Sequence, residues 1–282
     1  MLNQDTNILI VGLGLVGGSY AVALSAKGYT VRALSLERRP IDYALARGWI
    51  VDGGTEPEQF VGQADIIICA LYPGVFVDWV EKYRHLFKSG ALLTDVTGVK
   101  SAVVCKVQDM LPPDVEFIAA HPMAGRERSG VQYADAGVFA GANYIVVPTE
   151  KNTGLAIETC KYLGEVLGFS RISELTPKKH DEMIAFLSQL THCIAVALMN
   201  AGDDDSLVKY TGDSFRDLTR IAKINDEMWS ELFLINKEPL LKEMEKFRKA
   251  FDALEASIRS GDREEMRRQM RVSTERRGWF DK

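Results

Sequence analysis

Four histidines occur in the 282 residues, and their settings differ. His121 closes the apolar run Phe117-Ile-Ala-Ala120 and enters a loop, Pro122-Met-Ala-Gly125-Arg126. That is the carboxyl end of a predicted strand, where open α/β sheets hold their ligands, and imidazole exchanges protons near neutral pH. His192 shares a predicted helix face with Ser188 and Gln189, at spacings of i, i+4 and i, i+3. A polar stripe on an otherwise apolar helix needs partners, and a substrate pocket would supply them. His180 starts the same helix beside Asp181, where a cap, an ion pair and a catalytic role are all open. His85, in a helix-end sequence, is expected at the surface. Arg216 and Arg220 stand one turn apart on a short predicted helix, and either planar guanidinium suits a bidentate clamp on a carboxylate.

A second motif concerns phosphate. Gly12-Leu-Gly14-Leu15-Val16-Gly17 follows an apolar run and opens a helical pattern, the context a dinucleotide fingerprint requires. Its glycines serve the tight turn, the approach of backbone to pyrophosphate, and the close packing of helix on strand. An acidic residue about 20 positions on would accept the ribose 2′-hydroxyl of NAD. Ser35 stands there instead, followed by Glu37, Arg38 and Arg39. Loss of the acid and gain of two arginines favour NADP over NAD, while Glu37 as ribose ligand keeps NAD open.

These residues need a frame, and the pattern up to residue 175 alternates strands with helices. Strands are predicted at 8–11, 31–34, 66–71, 91–95, 116–119, 144–147 and 169–173. Helices fall before Gly28 and Gly48, at 75–86 and at 154–167. Such alternation means a Rossmann-type, doubly wound parallel sheet with helices on both faces. After Pro177 the period becomes 3.6, and helices are predicted at 178–200, 214–224, 226–235, 238–259 and 262–277, with Ser214-Phe-Arg-Asp217 as a capping box. The expected division is residues 1–175 for the dinucleotide and 176–282 for an all-helical C-terminal substrate and dimerisation domain. The long stripe Leu240–Ile258 offers more apolar face than the second half can bury, so a homodimer is expected.

Composition sets the outer bounds. At roughly 150 residues per domain the length suggests about two domains. The 46% hydrophobic and 26% charged residues are ordinary for a globular chain and exclude collagenous and low-complexity classes. A net charge of −5 without a long basic run argues against nucleic acid as partner. No basic segment precedes the first apolar stretch, and no uninterrupted apolar run reaches the ~18 residues of a membrane span. A cytoplasmic protein without membrane partners is therefore expected. Cys69, Cys105, Cys160 and Cys193 show no metal or redox spacing and are expected to be buried thiols, with no metal site.

Together the motifs resemble the prephenate/arogenate dehydrogenase family of tyrosine biosynthesis. The resemblance rests on the glycine loop with Gly18-Ser19, Asp95-Val-Thr97-Gly98-Val-Lys100, His121-Pro-Met-Ala-Gly125, His180-Asp181, Ser188-Gln-Leu-Thr-His192 and Phe215-Arg-Asp217-Leu-Thr-Arg220-Ile-Ala. It implies oxidative decarboxylation of prephenate to 4-hydroxyphenylpyruvate with hydride passing to NAD(P), or the corresponding reaction of arogenate. A non-catalytic dinucleotide-binding regulator is the reading from another class. The resemblance makes His121 the base on the 4-hydroxyl, gives Arg220 a substrate carboxylate, and lines the pocket with Ser188 and His192. Many members carry serine where Gly98 stands and use it to orient the histidine; Thr97 is the expected substitute. Many also carry histidine at Gln189 and proline at Thr191. The chain ends at Lys282, which is expected to leave no room for a regulatory or mutase domain.

Overall fold

The computed structural model describes residues 2–125 and 128–281. The first half runs β1 (Ile8–Val11), α1 (Leu15–Ser25), β2 (Val31–Leu34), α2 (Arg38–Leu45), β3 (Asp52–Gly54), β4 (Ile66–Cys69), α3 (Pro73–Tyr83), β5 (Leu92–Asp95), α4 (Ser101–Met110), β6 (Glu116–Pro122), β7 (Asn143–Val147), α5 (Gly154–Leu167) and β8 (Arg171–Glu174). These strands form one sheet in the order β3-β2-β1-β4-β5-β6-β7-β8. Ile8 and Ile10 point into one core with Tyr20, Ile68 and Tyr144, while Leu9 and Val11 point into the other with Ile67, Phe76 and Phe117. Both faces are covered, so the central strands read as continuous apolar runs.

Three details depart from the sequence pattern. First, β7 runs antiparallel to β6, with His121 opposite Ile145, and β8 is parallel to β7. Among the described residues, short helical turns at Val131–Tyr133 and Ala136–Phe139 lie on the path from β6 to β7, and none of them is a crossover helix of the kind a parallel return requires. Second, β6 extends to Pro122, so His121 lies within a strand rather than at a loop entrance. Third, β3 and α4 were not foreseen. β3 is Asp-Gly-Gly without an apolar side chain, and α4 buries Val103, Val104 and Val107, β-branched residues that favour strands when read locally.

The second half is helical: α6 (Pro177–Ile184), a π-helical stretch Ala185–Leu190, α7 (Thr191–Asn200), α8 (Asp213–Thr219), a 3₁₀ turn Arg220–Ala222, α9 (Asp226–Ile235), α10 (Lys237–Ser260) and α11 (Arg263–Gly278). Thr176 caps α6 through Lys179 N, Asn225 caps α9 through Met228 N, and Asp262 caps α11 through Glu265 N. The capping box at Ser214 is not formed, because α8 starts one residue earlier from Gly212 and has no side-chain cap. Gly261, at φ +71, ends α10 in the left-handed conformation that glycine adopts without strain.

The helical run Pro177–Asn200 is 24 residues long and contains an apolar window with a mean hydropathy of 1.5, enough to cross a membrane by length and composition. The sequence pattern predicts no apolar run of that length, and this helix reaches it because its polar residues are spread among strongly apolar ones. Its buried polar groups His180, Asp181 and Gln189 bond to neighbouring elements of the protein, as described below. Of the cysteines, Cys69 and Cys160 are buried, but Cys105 is exposed and Cys193 half-buried. Cys105 lies on the outer face of α4.

Candidate active site

The carboxyl edge of the sheet collects the residues with chemical potential. The turn after β1 has Gly12 at φ +98, and a Cβ there would lie 2.4 Å from Ala70 O. A Cβ on Gly17 would lie 1.9 Å from Gly12 O, so α1 packs against the turn at a distance only glycine permits. Around Gly14 no atom lies within 4 Å of such a Cβ, which leaves open space at the amino end of α1. Close packing on one side and room beside exposed amides on the other suit a pyrophosphate. Leu15 is buried and Val16 half-buried behind this turn, where they support it.

Ser35 follows β2, its amide bonded to Gly54 O at 3.2 Å. Arg38 opens α2 and donates to Asp42 at 2.8 Å and to Gly53 O at 3.3 Å, while Arg39 is exposed beside it. Both arginines therefore stand at the β2 end, with Arg38 committed in part to its own helix.

Next along the edge, Asp95 ends β5 inside the protein. Its Oδ1 accepts from Ala120 N at 3.0 Å and its Oδ2 from Lys100 Nζ at 2.7 Å, and Lys100 Nζ also donates to Ala120 O at 2.6 Å. Asp95 and Lys100 are fully buried, so this pair bolts the end of β5 to the residue before His121. Burial pushes the Lys100 ammonium below its usual range, against the pull of Asp95. Thr97 is buried here too; its hydroxyl accepts from Lys100 Nζ at 3.2 Å and has Asp95 Oδ2 and Val99 O as alternative acceptors for its single hydrogen. The expected contact from Thr97 to the histidine is not made, because its hydroxyl is taken up by the Asp95 cluster.

His121 receives its orientation from the helical half. Its Nδ1 lies 2.8 Å from Nε2 of His180, whose Nδ1 lies 2.8 Å from Oδ1 of Asp181. Asp181 in turn accepts from Lys100 N and Ser101 N, each at 2.8 Å, at the amino end of α4. The environment holds the His121 imidazole well below its ordinary pKa, first through burial, then through His180 and Lys100. Burial also pushes His180 down, opposed by Asp181, and the bonds from His180 and Ser101 keep the Asp181 carboxyl low despite burial. A Cβ on Gly98 would lie 4.0 Å from Cε1 of His121 and 3.5 Å from Leu232, so the Asp95–Lys100 loop and α9 flank the ring.

Farther along the helical half, His192 stacks on Trp229 with ring centroids 3.7 Å apart, and its Nδ1 donates to Ser188 O at 2.9 Å. Ser188 and Gln189 sit in the π-helical stretch, a local widening that is frequent at functional positions. Gln189 does not share the face of Ser188 and His192: it is buried, donates to Leu232 O at 2.9 Å and accepts from Asn236 at 2.7 Å. Its amide ties the π stretch to α9 and α10. Arg220 is exposed on the 3₁₀ turn, which packs against α7. Arg216, exposed as well, donates to Asp213 at 2.5 Å and to Thr211 O at 3.0 Å.

The chain that carries this histidine, glycine turn and helical wall matches known proteins over most of its length. The model of the prephenate dehydrogenase nucleotide-binding domain matches residues 20–170, and that of the prephenate dehydrogenase dimerisation domain matches residues 176–272. The chain belongs to the prephenate dehydrogenase family. A prephenate dehydrogenase of Lactococcus lactis subsp. cremoris is 32% identical over 90% of this chain and 72% of its own length. The crystal structure of prephenate dehydrogenase from A. aeolicus, in complex with hydroxyphenyl propionate and NAD+, superposes with a TM-score of 0.91 at 29% identity and covers 100% of both chains. The arogenate dehydrogenase of Synechocystis superposes with a TM-score of 0.84 at 26% identity, over 98% of this chain and 100% of that one.

Membership makes this chain a nicotinamide-dinucleotide-dependent oxidoreductase. The family's histidine, in His121-Pro-Met-Ala-Gly125, is the one the fold brings beside His180. The sequence left the role of His180 undecided, and it gave no sign that Asp95 and Lys100 would pair in the interior. The i, i+5 spacing of an acid and a base across a loop has no local periodicity to reveal it.

Proposed function

We propose that this enzyme oxidatively decarboxylates prephenate to 4-hydroxyphenylpyruvate, as a cytoplasmic step of tyrosine biosynthesis, with residues 1–175 binding the dinucleotide and residues 176–282 completing the substrate site. The observation that carries this is the half-buried His121, fixed 2.8 Å from His180 at the same sheet edge as the open glycine turn. His121 accepts the proton of the 4-hydroxyl through Nε2. Its environment favours the uncharged ring, so the base is ready without prior deprotonation. Arg220 binds a carboxylate of the substrate, and Ser188 with His192 lines the pocket, the latter held flat by Trp229. When bound at Gly12, Gly14 and Gly17, the dinucleotide supplies the hydride acceptor. Loss of the ring carboxylate as CO₂ yields an aromatic ring, which makes the overall reaction strongly downhill.

Ser35, Arg38 and Arg39 favour NADP over NAD in this reading, since none of them repels a 2′-phosphate and the arginines pair with one. The enzyme acts as a homodimer through its helical half, where Leu207, Val208, Tyr210 and Phe251 are exposed on a single chain. Similarity to an arogenate dehydrogenase supports arogenate as the second substrate reading. One experiment separates these readings: absorbance of the reduced cofactor with prephenate and with arogenate, each offered with NAD and with NADP. The expected result is the fastest reduction with prephenate and NADP. No reduction in any of the four mixtures would make the protein a dinucleotide-binding regulator.

A further inference from the structure

The contacts behind His121 decide more than its orientation. Asp181 sits on α6, and its two oxygens accept from Lys100 N and Ser101 N at 2.8 Å each, where the ten-residue α4 begins. A carboxyl group bonded by two amides at the positive end of a helix is held as the anion. An ionised carboxylate only accepts hydrogen bonds. The nitrogen of His180 that meets Asp181 Oδ1 at 2.8 Å, Nδ1, must therefore carry the hydrogen.

The rest of the chain follows from valence. His180 is fully buried and its environment favours the neutral ring, so its Nε2 holds a lone pair. Nδ1 of His121 lies 2.8 Å from that lone pair and must donate to it. A neutral His121 with hydrogen on Nδ1 has its own lone pair on Nε2, the nitrogen assigned above to the substrate hydroxyl. Among the described residues the other charges facing these rings are Lys100, on the loop leading into α4, and Asp95, at the end of β5. They are paired with each other at 2.7 Å, which leaves Asp181 as the charge that directs the protons.

We propose that His180 and Asp181 are positioning residues that lock His121 into the Nδ1–H tautomer, so that the helical half decides which nitrogen of the sheet-borne histidine acts as base. This rests on the role of His121 in the proposed reaction, and it adds an Asp181–His180–His121 line running from the amino end of α4 to the substrate. In turnover the hydroxyl proton moves to His121 Nε2, and the resulting imidazolium keeps its Nδ1–H on His180, with Asp181 behind to balance the charge. The proton returns to solvent from the half-exposed ring, and no group deeper in the line changes its proton count.

The experiment reads the tautomers directly, by long-range ¹H–¹⁵N NMR of the intact protein labelled at histidine, together with steady-state kinetics. Wild type should show His121 and His180 both protonated on Nδ1 alone. Asp181→Ala removes the acceptor that holds the hydrogen on His180 Nδ1, frees the line to invert and should let the hydrogen of His121 populate Nε2. The expected kinetic result is a fall in kcat of about 10²–10⁴-fold with KM changed less than about threefold, the range for a misplaced proton at a catalytic histidine. His180→Gln keeps an acceptor for His121 and should preserve its tautomer, with kcat down by less than about tenfold. Should Asp181→Ala fail to fold, His180→Leu removes the acceptor while leaving Asp181 bonded to the amides that open α4, and His121 should then populate both tautomers. A wild-type His121 protonated on Nε2, or Asp181→Ala and His180→Leu variants that leave its tautomer unchanged, would overturn the proposal. Absence of turnover in wild type would instead sink the reaction assigned above, because the NMR result stands without it.

Discussion

The two halves of this enzyme use their apolar residues differently. In the sheet half the strands bury their apolar side chains on one face or the other, save the half-buried Leu92 and Ile172, and full burial extends to Tyr20, Phe76, Phe117 and Tyr144. Among the described residues from 177 onward the buried apolar side chains are Ile184, Ala185, Leu190, Ala195, Leu232 and Leu240, whereas Leu207, Val208, Phe215, Leu234, Phe251 and Ile258 are exposed. A single chain therefore completes the dinucleotide half but leaves the helical half with uncovered surface. In the proposed reaction the chemistry is divided along the same line: the base His121 stands on the sheet, while His180, Asp181, His192 and Arg220 come from the helical half.

The largest effect expected from breaking this division is at the base. His121→Asn should keep the fold and dinucleotide affinity while lowering kcat by roughly 10²–10⁴-fold; a variant retaining a third of the wild-type rate would remove His121 from the mechanism. The pH profile sharpens the point. The active form is the neutral ring, and the environment lowers its pKa from the ordinary 6.5, so kcat/KM should hold as pH falls through 6.5 and decline only well below it.

Within the sheet half, Lys100→Met leaves Asp95 as an unpaired buried charge. It should destabilise the fold by about 3–5 kcal/mol in denaturant titration. A loss under about 1 kcal/mol would mean that water reaches Asp95.

In the helical half, Arg220→Gln should act on KM for the ring substrate, by roughly 1.5–3 kcal/mol of lost charge-assisted bonding, with kcat less affected. An unchanged KM would take Arg220 out of the substrate site. The asymmetry in apolar burial is tested by light scattering. Wild type should show twice the 31.4 kDa of one chain, and Phe251→Glu, which places charge on the exposed stripe of α10, should shift the population toward a single chain. A wild type of one-chain mass at micromolar concentration would leave the exposed stripe unexplained.

The smallest effect is expected where the halves touch. Gly98→Ser places its Cβ in ordinary contact with Leu232 and His121, at 3.5 and 4.0 Å. Because His180 already fixes the ring, kcat should change by less than about threefold. A tenfold gain would show that the missing serine still limits catalysis.

Much of this protein was legible in its sequence wherever the signal is local. The apolar runs at Ile8–Val11 and Ile66–Cys69, the glycine turn, the change of period after Pro177 and the placement of α9 at Asp226–Ile235 follow from side-chain periodicity and turn chemistry over a few residues. The strings around His121, His192 and Arg220, on which the resemblance to the family rests, are legible for the same reason. Other features depended on residues brought together from distant parts of the chain. The antiparallel turn into β7 followed from the lack of a crossover helix among the described residues, and β3 is held by its pairing with β2 rather than by any apolar pattern. Gln189, read as a pocket residue from its spacing, was turned inward because Leu232 and Asn236 offer it partners there. The line from Asp181 through His180 to His121 joins positions 59 residues apart, and Asp181 meets α4 across 80. Hydrogen bonds of that kind depend on where two elements pack. The sequence by itself determined which groups can exchange protons and bind phosphate; the tertiary structure decided which nitrogen faces which partner, because direction is a property of packed elements.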